Sequence, residues 1–165
     1  TYAHPAVLTC EAGAFFPGEN GAATWDDLER VSTELTNSTP AINRVLFQLG
    51  PRQRLVQRLR QGFLTQDRLD MLREADAIIM DALVSHELMA QVTQMPTVLV
   101  PLSSDGSAES VVLRPITTDD FMTARFDRLP TSFLSEVTEA ILQIDGIEAV
   151  YYDVTHKPPG TVEWE

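Results

Sequence analysis

A chain of 165 residues is long enough for one domain, or for two small lobes sharing an interface. Its apolar residues, 44% of the total, never gather into the roughly 20 consecutive positions needed to cross a bilayer, which excludes a helical membrane span. A formal charge of −12 would repel a polyanion, and the arginines cluster in one short segment instead of covering a face, which argues against nucleic-acid binding.

Residues 2–9 (YAHPAVLT) favour a strand but contain Pro5, which has no N–H for a ladder, so the segment reads as an edge strand. It opens without a methionine or a lead-in, as a fragment would. Cys10 is a single cysteine with no intrachain disulfide to form, and no basic then apolar leader precedes it, which points to a cytoplasmic protein. The stretch 11–23, rich in Gly, Ala and Pro, is a loop. Thr24 then caps a helix with Asp26 and Asp27 in its first turn and Trp25, Leu28, Val31 and Leu35 at helical spacing, ending near Asn37 to Pro40.

Residues 42–49 (INRVLFQL) alternate, with Val45, Phe47 and Leu49 on one side and Arg44, Leu46 and Gln48 on the other, until Gly50-Pro51 stops the strand. The segment 52–60 (RQRLVQRLR) sets Leu55, Val56 and Leu59 among four arginines and predicts a short basic amphipathic helix, facing solvent or a neighbouring domain. A longer helix runs from about Thr65 to about Val84, with Leu69, Leu72, Ala75, Ile79 and Leu83 forming its apolar stripe. Residues 96–102 and 110–117 predict an antiparallel pair joined by a polar turn whose tip is Asp105-Gly106. Thr131 or Ser132 starts a last helix, with Phe133, Leu134, Val137, Ile141 and Ile144 inward and Asp145-Gly146 as its stop; a final strand covers 147–154.

The two halves repeat one order of parts. Leu28, Val31, Ser32 and Leu35 align with Leu134, Val137, Thr138 and Ile141, and after a one-residue gap Ile42, Val45, Phe47 and Leu49 align with Ile147, Val150, Tyr152 and Val154. The expected fold is α+β: two tandem repeats, each a small, mostly antiparallel sheet covered by helices on one face, packed sheet against sheet as a pseudo-dimer. The divisions are 1–50, a first repeat truncated at its N-terminus; 51–62, a linker with the basic helix; and 63–165, a complete second module.

The tail after Val154 differs chemically from the rest. Pro158 and Pro159 restrict it, Gly160 permits close backbone approach, and Lys157 with Glu163 offers a cation and an acceptor on one strap. Such a strap can clamp a phosphorylated ligand, with lysine as a point charge on phosphate and a carboxylate on sugar hydroxyls or base nitrogens; a frayed terminus is the alternative. His4, His86 and His156 lack metal-ligand spacing, and Asp119-Asp120 suits a cap or a turn.

The run YDVTHKPPGTVEWE at 152–165 resembles the terminal signature of GMP synthetases. LREADAIIMDAL (72–83), QMPTVLVPL (94–102) and TTDDFMTARF (117–126) resemble the same family's entering helix, first strand and post-hairpin loop. WDDLERVSTELTNSTPAINRVLFQLG (25–50) resembles the extra module of the family's long form. The resemblance implies the C-terminal pairing and substrate-lid region of an enzyme that makes GMP from XMP, ATP and glutamine.

By the same resemblance, Lys157 meets the XMP phosphate, Val162 contributes its backbone there, Glu163 holds the nucleotide, and Gln94 reaches the substrate. ATP and Mg serve the parent enzyme and not this segment, which has no Ser-Gly-Gly-x-Asp-Ser pyrophosphate loop and no cysteine elbow around Cys10. The implied partners are XMP and either the parent's own ATP-pyrophosphatase domain or a second subunit. One departure stands out. The family's last strand carries a phosphate-binding arginine where this chain has Ala149, a loss on the order of 1–3 kcal/mol. Arg44 keeps the arginine in the first repeat, with nothing in the sequence to place it near the tail. Two other readings compete: a freestanding interaction or regulatory module derived from this region, and an independent nucleotide enzyme, for which no base or nucleophile is evident.

Overall fold

The computed structural model describes residues 3–10, 16–19, 22–51, 53 and 58–164. It is a mixed α+β structure built on one five-stranded sheet with the spatial order β1 (His4–Leu8), β2 (Ile42–Gly50), β9 (Ile147–Asp153), β6 (Glu109–Leu113) and β4 (Thr97–Val100). Three helices, α1 (Trp25–Ser38), α2 (Gln66–Ser85) and α3 (Thr131–Ile141), contribute to a single core on one face, where Val45, Phe47, Leu49, Val150 and Tyr152 meet Leu28, Ile79, Phe133 and Val137. No helix among the described residues is long and apolar enough to cross a membrane.

Local chemistry accounts for the helix ends. The Thr24 side chain accepts from the Asp27 N–H at 3.1 Å while Asp27 Oδ2 takes the Thr24 N–H at 3.1 Å, closing the capping box that starts α1. Thr65 caps α2 through the Arg68 N–H. α3 begins after Pro130 with no side-chain cap; it ends before Ile144, which is buried in the turn that follows, and Gly146 takes the positive φ (87°) that reverses the chain into β9.

The sheet departs from the expected antiparallel modules. β1 runs parallel to β2, and β6 parallel to β9, because α1 and α3 carry the chain back along one face so that each following strand restarts in the same direction. The β2–β9 and β4–β6 pairs are antiparallel. The two halves join edge to edge within one sheet instead of stacking two sheets: β2 and β9 satisfy each other's ladder groups at the centre, leaving β1, with Pro5, as an edge.

The registers of the halves correspond residue for residue. His4↔Ile42, Ala6↔Val45 and Leu8↔Phe47 in the first half match Glu109↔Ile147, Val111↔Val150 and Leu113↔Tyr152 in the second, all 105 positions apart, the separation of Phe47 from Tyr152. Even the ladder irregularities coincide, between His4 and Pro5 and between Glu109 and Ser110.

Two small ribbons complete the fold. The predicted basic helix is not one where it is described: Arg58–Leu59 forms β3, antiparallel to β5 (Leu102–Ser103), while residues 52 and 54–57 lie outside the described residues. Arg60 and Arg68 both bond the buried Glu109 carboxylate, which draws this segment onto the sheet. Pro101 separates β4 from β5, and Pro115 separates β6 from β7 (Ile116–Thr117), which pairs with β8 (Arg125–Phe126).

Candidate functional site

β9 delivers the chain into a tail that folds back over the sheet face opposite the helices. Strand alternation puts Arg44 of β2, Asp153 of β9 and Arg114, just beyond β6, on that face, and all three are buried (3%, 0% and 0% exposed). Ions withdrawn from water must find each other. Asp153 Oδ2 accepts from Arg44 Nη1 at 2.9 Å, Arg114 Nη1 at 2.9 Å and Trp164 Nε1 at 2.8 Å, while its Oδ1 accepts from the Thr155 N–H at 2.9 Å.

Two guanidiniums against one carboxylate leave donors over, and these take the tail. Arg114 donates to the carbonyls of Thr155 (3.2 Å), Thr161 (2.6 Å) and Val162 (3.1 Å). Arg44 Nη2 donates to Thr161 Oγ1 at 2.7 Å and to the Glu163 carbonyl at 2.8 Å, and its guanidinium lies 5.1 Å over the Trp164 ring. Burial pulls the Arg114 pKa below the usual arginine value; Asp153 works against that shift and Arg44 adds to it. Gly160 lets the turn close, since a Cβ there would sit 3.3 Å from the His156 carbonyl and 3.4 Å from Arg114 Nη2.

The sequence-predicted residues are brought together in part. Lys157 exchanges both backbone hydrogen bonds with Ala124 (2.8 and 3.1 Å), and Val162 is buried against Ala124 and Ile116, so both seat on the β7–β8 ribbon. Lys157 Nζ donates to the Phe121 carbonyl. Gln94 is exposed and bridges Ile116 at the opposite edge of this ribbon, about 14 Å from Lys157 at three strand spacings. The Glu163 side chain is exposed while its carbonyl is held by Arg44.

Beside Lys157 opens a hollow of about 640 Å³ lined by Thr117, Asp119, Asp120, Arg125 and His156. His156 stacks on Phe126 (5.1 Å, 13°), and its Nε2 meets Glu29 Oε1 at 3.0 Å, which ties the tail to α1. A broader depression of about 730 Å³, along Asp26, Arg30, Glu34 and Asn37, is the solvent side of α1. Among the described residues no group of three or more His, Cys, Asp or Glu could hold a metal ion.

Sequence reasoning missed Arg114 and Asp153, and the structure places Arg44 against the tail, a neighbourhood that nothing in the sequence pattern indicates. The available signal was a charged residue at an inward position of each of two apolar strands, SVVLRP and IEAVYYD.

Residues 81–164, half of the chain, match the family model described as the GMP synthase C terminal domain. The chain belongs to that family. It is 37% identical over 145 residues to the Probable GMP synthase (glutamine-hydrolyzing) of Leptospira interrogans, a match covering 86% of this chain and 24% of the relative. The GMP synthases of Leifsonia xyli (41% over 113 residues) and Chlorobium luteolum (45% over 112) each match 63% of the chain and 22% of their own length. The chain thus spans about a quarter of the length of these curated relatives.

Proposed function

We propose that this chain is the C-terminal pairing and substrate-tail segment of a cytoplasmic, glutamine-hydrolysing GMP synthetase, a ligase that makes GMP from XMP, ATP and glutamine. The segment is noncatalytic. Its tail lies over the substrate, with Lys157 on the XMP phosphate, the Val162 backbone beside it, Glu163 on the nucleotide and Gln94 approaching from the far edge of the ribbon. The observation that carries this reading is the seating of Lys157 and Val162 on one ribbon next to the 640 Å³ hollow. An ammonium has three N–H donors and Lys157 uses one on Phe121, which leaves two for phosphate oxygens.

ATP and Mg, in this reading, serve the parent enzyme and not this segment, whose sequence has no Ser-Gly-Gly-x-Asp-Ser pyrophosphate loop. They belong to the ATP-pyrophosphatase domain of the parent, and the segment packs against that domain or against a second subunit.

The two halves are, in this reading, tandem copies of one β-α-β module paired as an internal pseudo-dimer. The matching registers and coincident irregularities support this, as does the reach of the Leptospira match over 86% of the chain.

Calorimetric titration of XMP into the full-length protein and its Lys157→Ala variant tests the tail. Binding by the parent and loss of most of it in the variant supports the reading. A parent that binds no XMP leaves the family membership as ancestry and favours a freestanding interaction module.

A further inference from the structure

The sheet face under the tail is electrically lopsided. Exchange of the two halves about the Phe47–Tyr152 pair gives the residues of β1 and β2 counterparts 105 positions on, in β6 and β9, and continued one step past β6 it makes the counterparts of Arg44, Asp153 and Arg114 Ala149, Gln48 and Thr9. Three buried ions stand on one side of the pseudo-axis and three uncharged residues on the other. The outgoing chains differ as well. After β9 the chain folds back onto Arg44 and Arg114, whereas after β2 the Gln48 amide donates to the Pro51 and Gln53 carbonyls (2.7 and 2.8 Å) and Arg58–Leu59 is paired with Leu102–Ser103.

The same register removes the difficulty posed by Ala149. Position 149 lies beside Ser110, four residues up β9 from Asp153, roughly 13 Å along the strand. An arginine there would stand at the counterpart site, where the described residues after β2 make no such tail. Arg44, the arginine at the matching position of the first half, faces this tail beside Arg114.

We infer that Arg44, carried by the first half, is a positioning residue for the tail of the second half, so that the chain has a single site for a nucleoside monophosphate, built by both halves, and a counterpart stripped of its charges. The identity of the ligand rests on the proposed function; the clamp does not. One planar guanidinium spans Asp153, the Thr161 hydroxyl and the Glu163 carbonyl, a set that the point charge of a lysine cannot serve at once. With Arg114 on the far side of the same tail, it fixes Thr161 to Glu163 and hence the place of Val162 relative to Lys157. Two guanidiniums and one carboxylate also leave a surplus positive charge under the tail, which favours a phosphate anion above it.

The test is hydrogen-exchange mass spectrometry with XMP titration on the full-length protein, comparing wild type, Arg44→Ala, Arg44→Lys and Thr161→Val. Thr161→Val removes one acceptor while leaving the buried ions paired, so it reports even where Arg44→Ala fails to fold. The expected results are one XMP per chain, faster exchange in 155–164 with β9 still protected in every variant, and affinity lower by roughly tenfold or more in Arg44→Ala. Arg44→Lys does not restore it. Two XMP sites per chain, unchanged tail exchange in Thr161→Val and Arg44→Ala, or full rescue by lysine would each overturn the inference. If wild type binds no XMP yet the variants loosen the tail, the clamp stands and the proposed function falls.

Discussion

Phe47 faces Tyr152 across the β2–β9 boundary, and each is the other's counterpart in the register of the two halves. On either side, Leu46↔Asp153 and Gln48↔Tyr151 exchange places under the same operation. The centre of the sheet is therefore an antiparallel pair with a local two-fold, and the helix-side core runs through it without a break, from Leu28 of α1 to Ile79 of α2. A perturbation at this seam acts on both halves at once.

Gly50 ends β2 where α3 of the other half packs. A Cβ built there comes within 2.7 Å of Thr138 Cγ2 and 2.9 Å of Leu142 Cδ1. Gly50→Ala should cost about 1–3 kcal/mol by overpacking. Urea unfolding should show a lower midpoint, and exchange in the tail should stay as in wild type, because the strain falls on the helix face.

Asp153 is the sole carboxylate between Arg44 and Arg114 among the described residues. Asp153→Ala leaves two buried guanidiniums without their counter-ion and should lower stability by about 3–5 kcal/mol in chemical denaturation. Asp153→Asn keeps an acceptor for Trp164 and one arginine, so its loss should be smaller. Equal losses in the two variants would mean that the charge contributes little.

What was legible in the sequence is what local chemistry decides. Thr24 and Asp27 announce α1 because a capping box needs only four residues, and the alternation of Arg44 to Leu49 is realised with Val45, Phe47 and Leu49 on the helix face. The antiparallel pairing of β4 with β6 was legible from the short polar turn between them, but the parallel pairs β1–β2 and β6–β9 were not: alternation states which face a residue takes and says nothing of which distant strand lies beside it. β3 and β8 were missed because a two-residue ladder such as Arg58↔Ser103 depends on a partner far along the chain, while β7 and the start of β5 lay within the longer strands predicted at 110–117 and 96–102. The distinct chemistry of the tail was visible through its motif. Arg114 was not, because an arginine next to a proline reads as a strand end until Asp153 is placed against it.

Glu29 gives the tail an acid-sensitive tether. The hydrogen bond from Arg128 (2.6 Å) holds its carboxyl below the ordinary 4.5, burial opposes the shift, and the bond from His156 adds to it. A carboxylate whose folded pKa is depressed stabilises the fold fully above the unfolded value and ceases to do so as pH falls through the folded one. Thermal melts below about pH 4.5 should therefore drop less steeply for Glu29→Gln than for wild type. Identical acid slopes would show that this carboxylate is not linked to folding.

Gly160→Ala separates the tail from the body of the fold. Its Cβ would stand 3.3 Å from the His156 carbonyl and 3.4 Å from both Arg114 Nη2 and Thr155 Cγ2, so something must shift by a few tenths of an ångström. Arg114 is the least able to move, being fully buried and bonded to Asp153, Thr155, Thr161 and Val162. The displacement should therefore go into the tail, between Lys157 and Val162. Global stability should change by under about 1 kcal/mol, while exchange rises at Gly160, whose N–H donates to the His156 carbonyl at 3.1 Å. A large drop in the unfolding midpoint with an unaltered tail would instead show that Arg114 yields, and that the clamp is softer than its contacts imply.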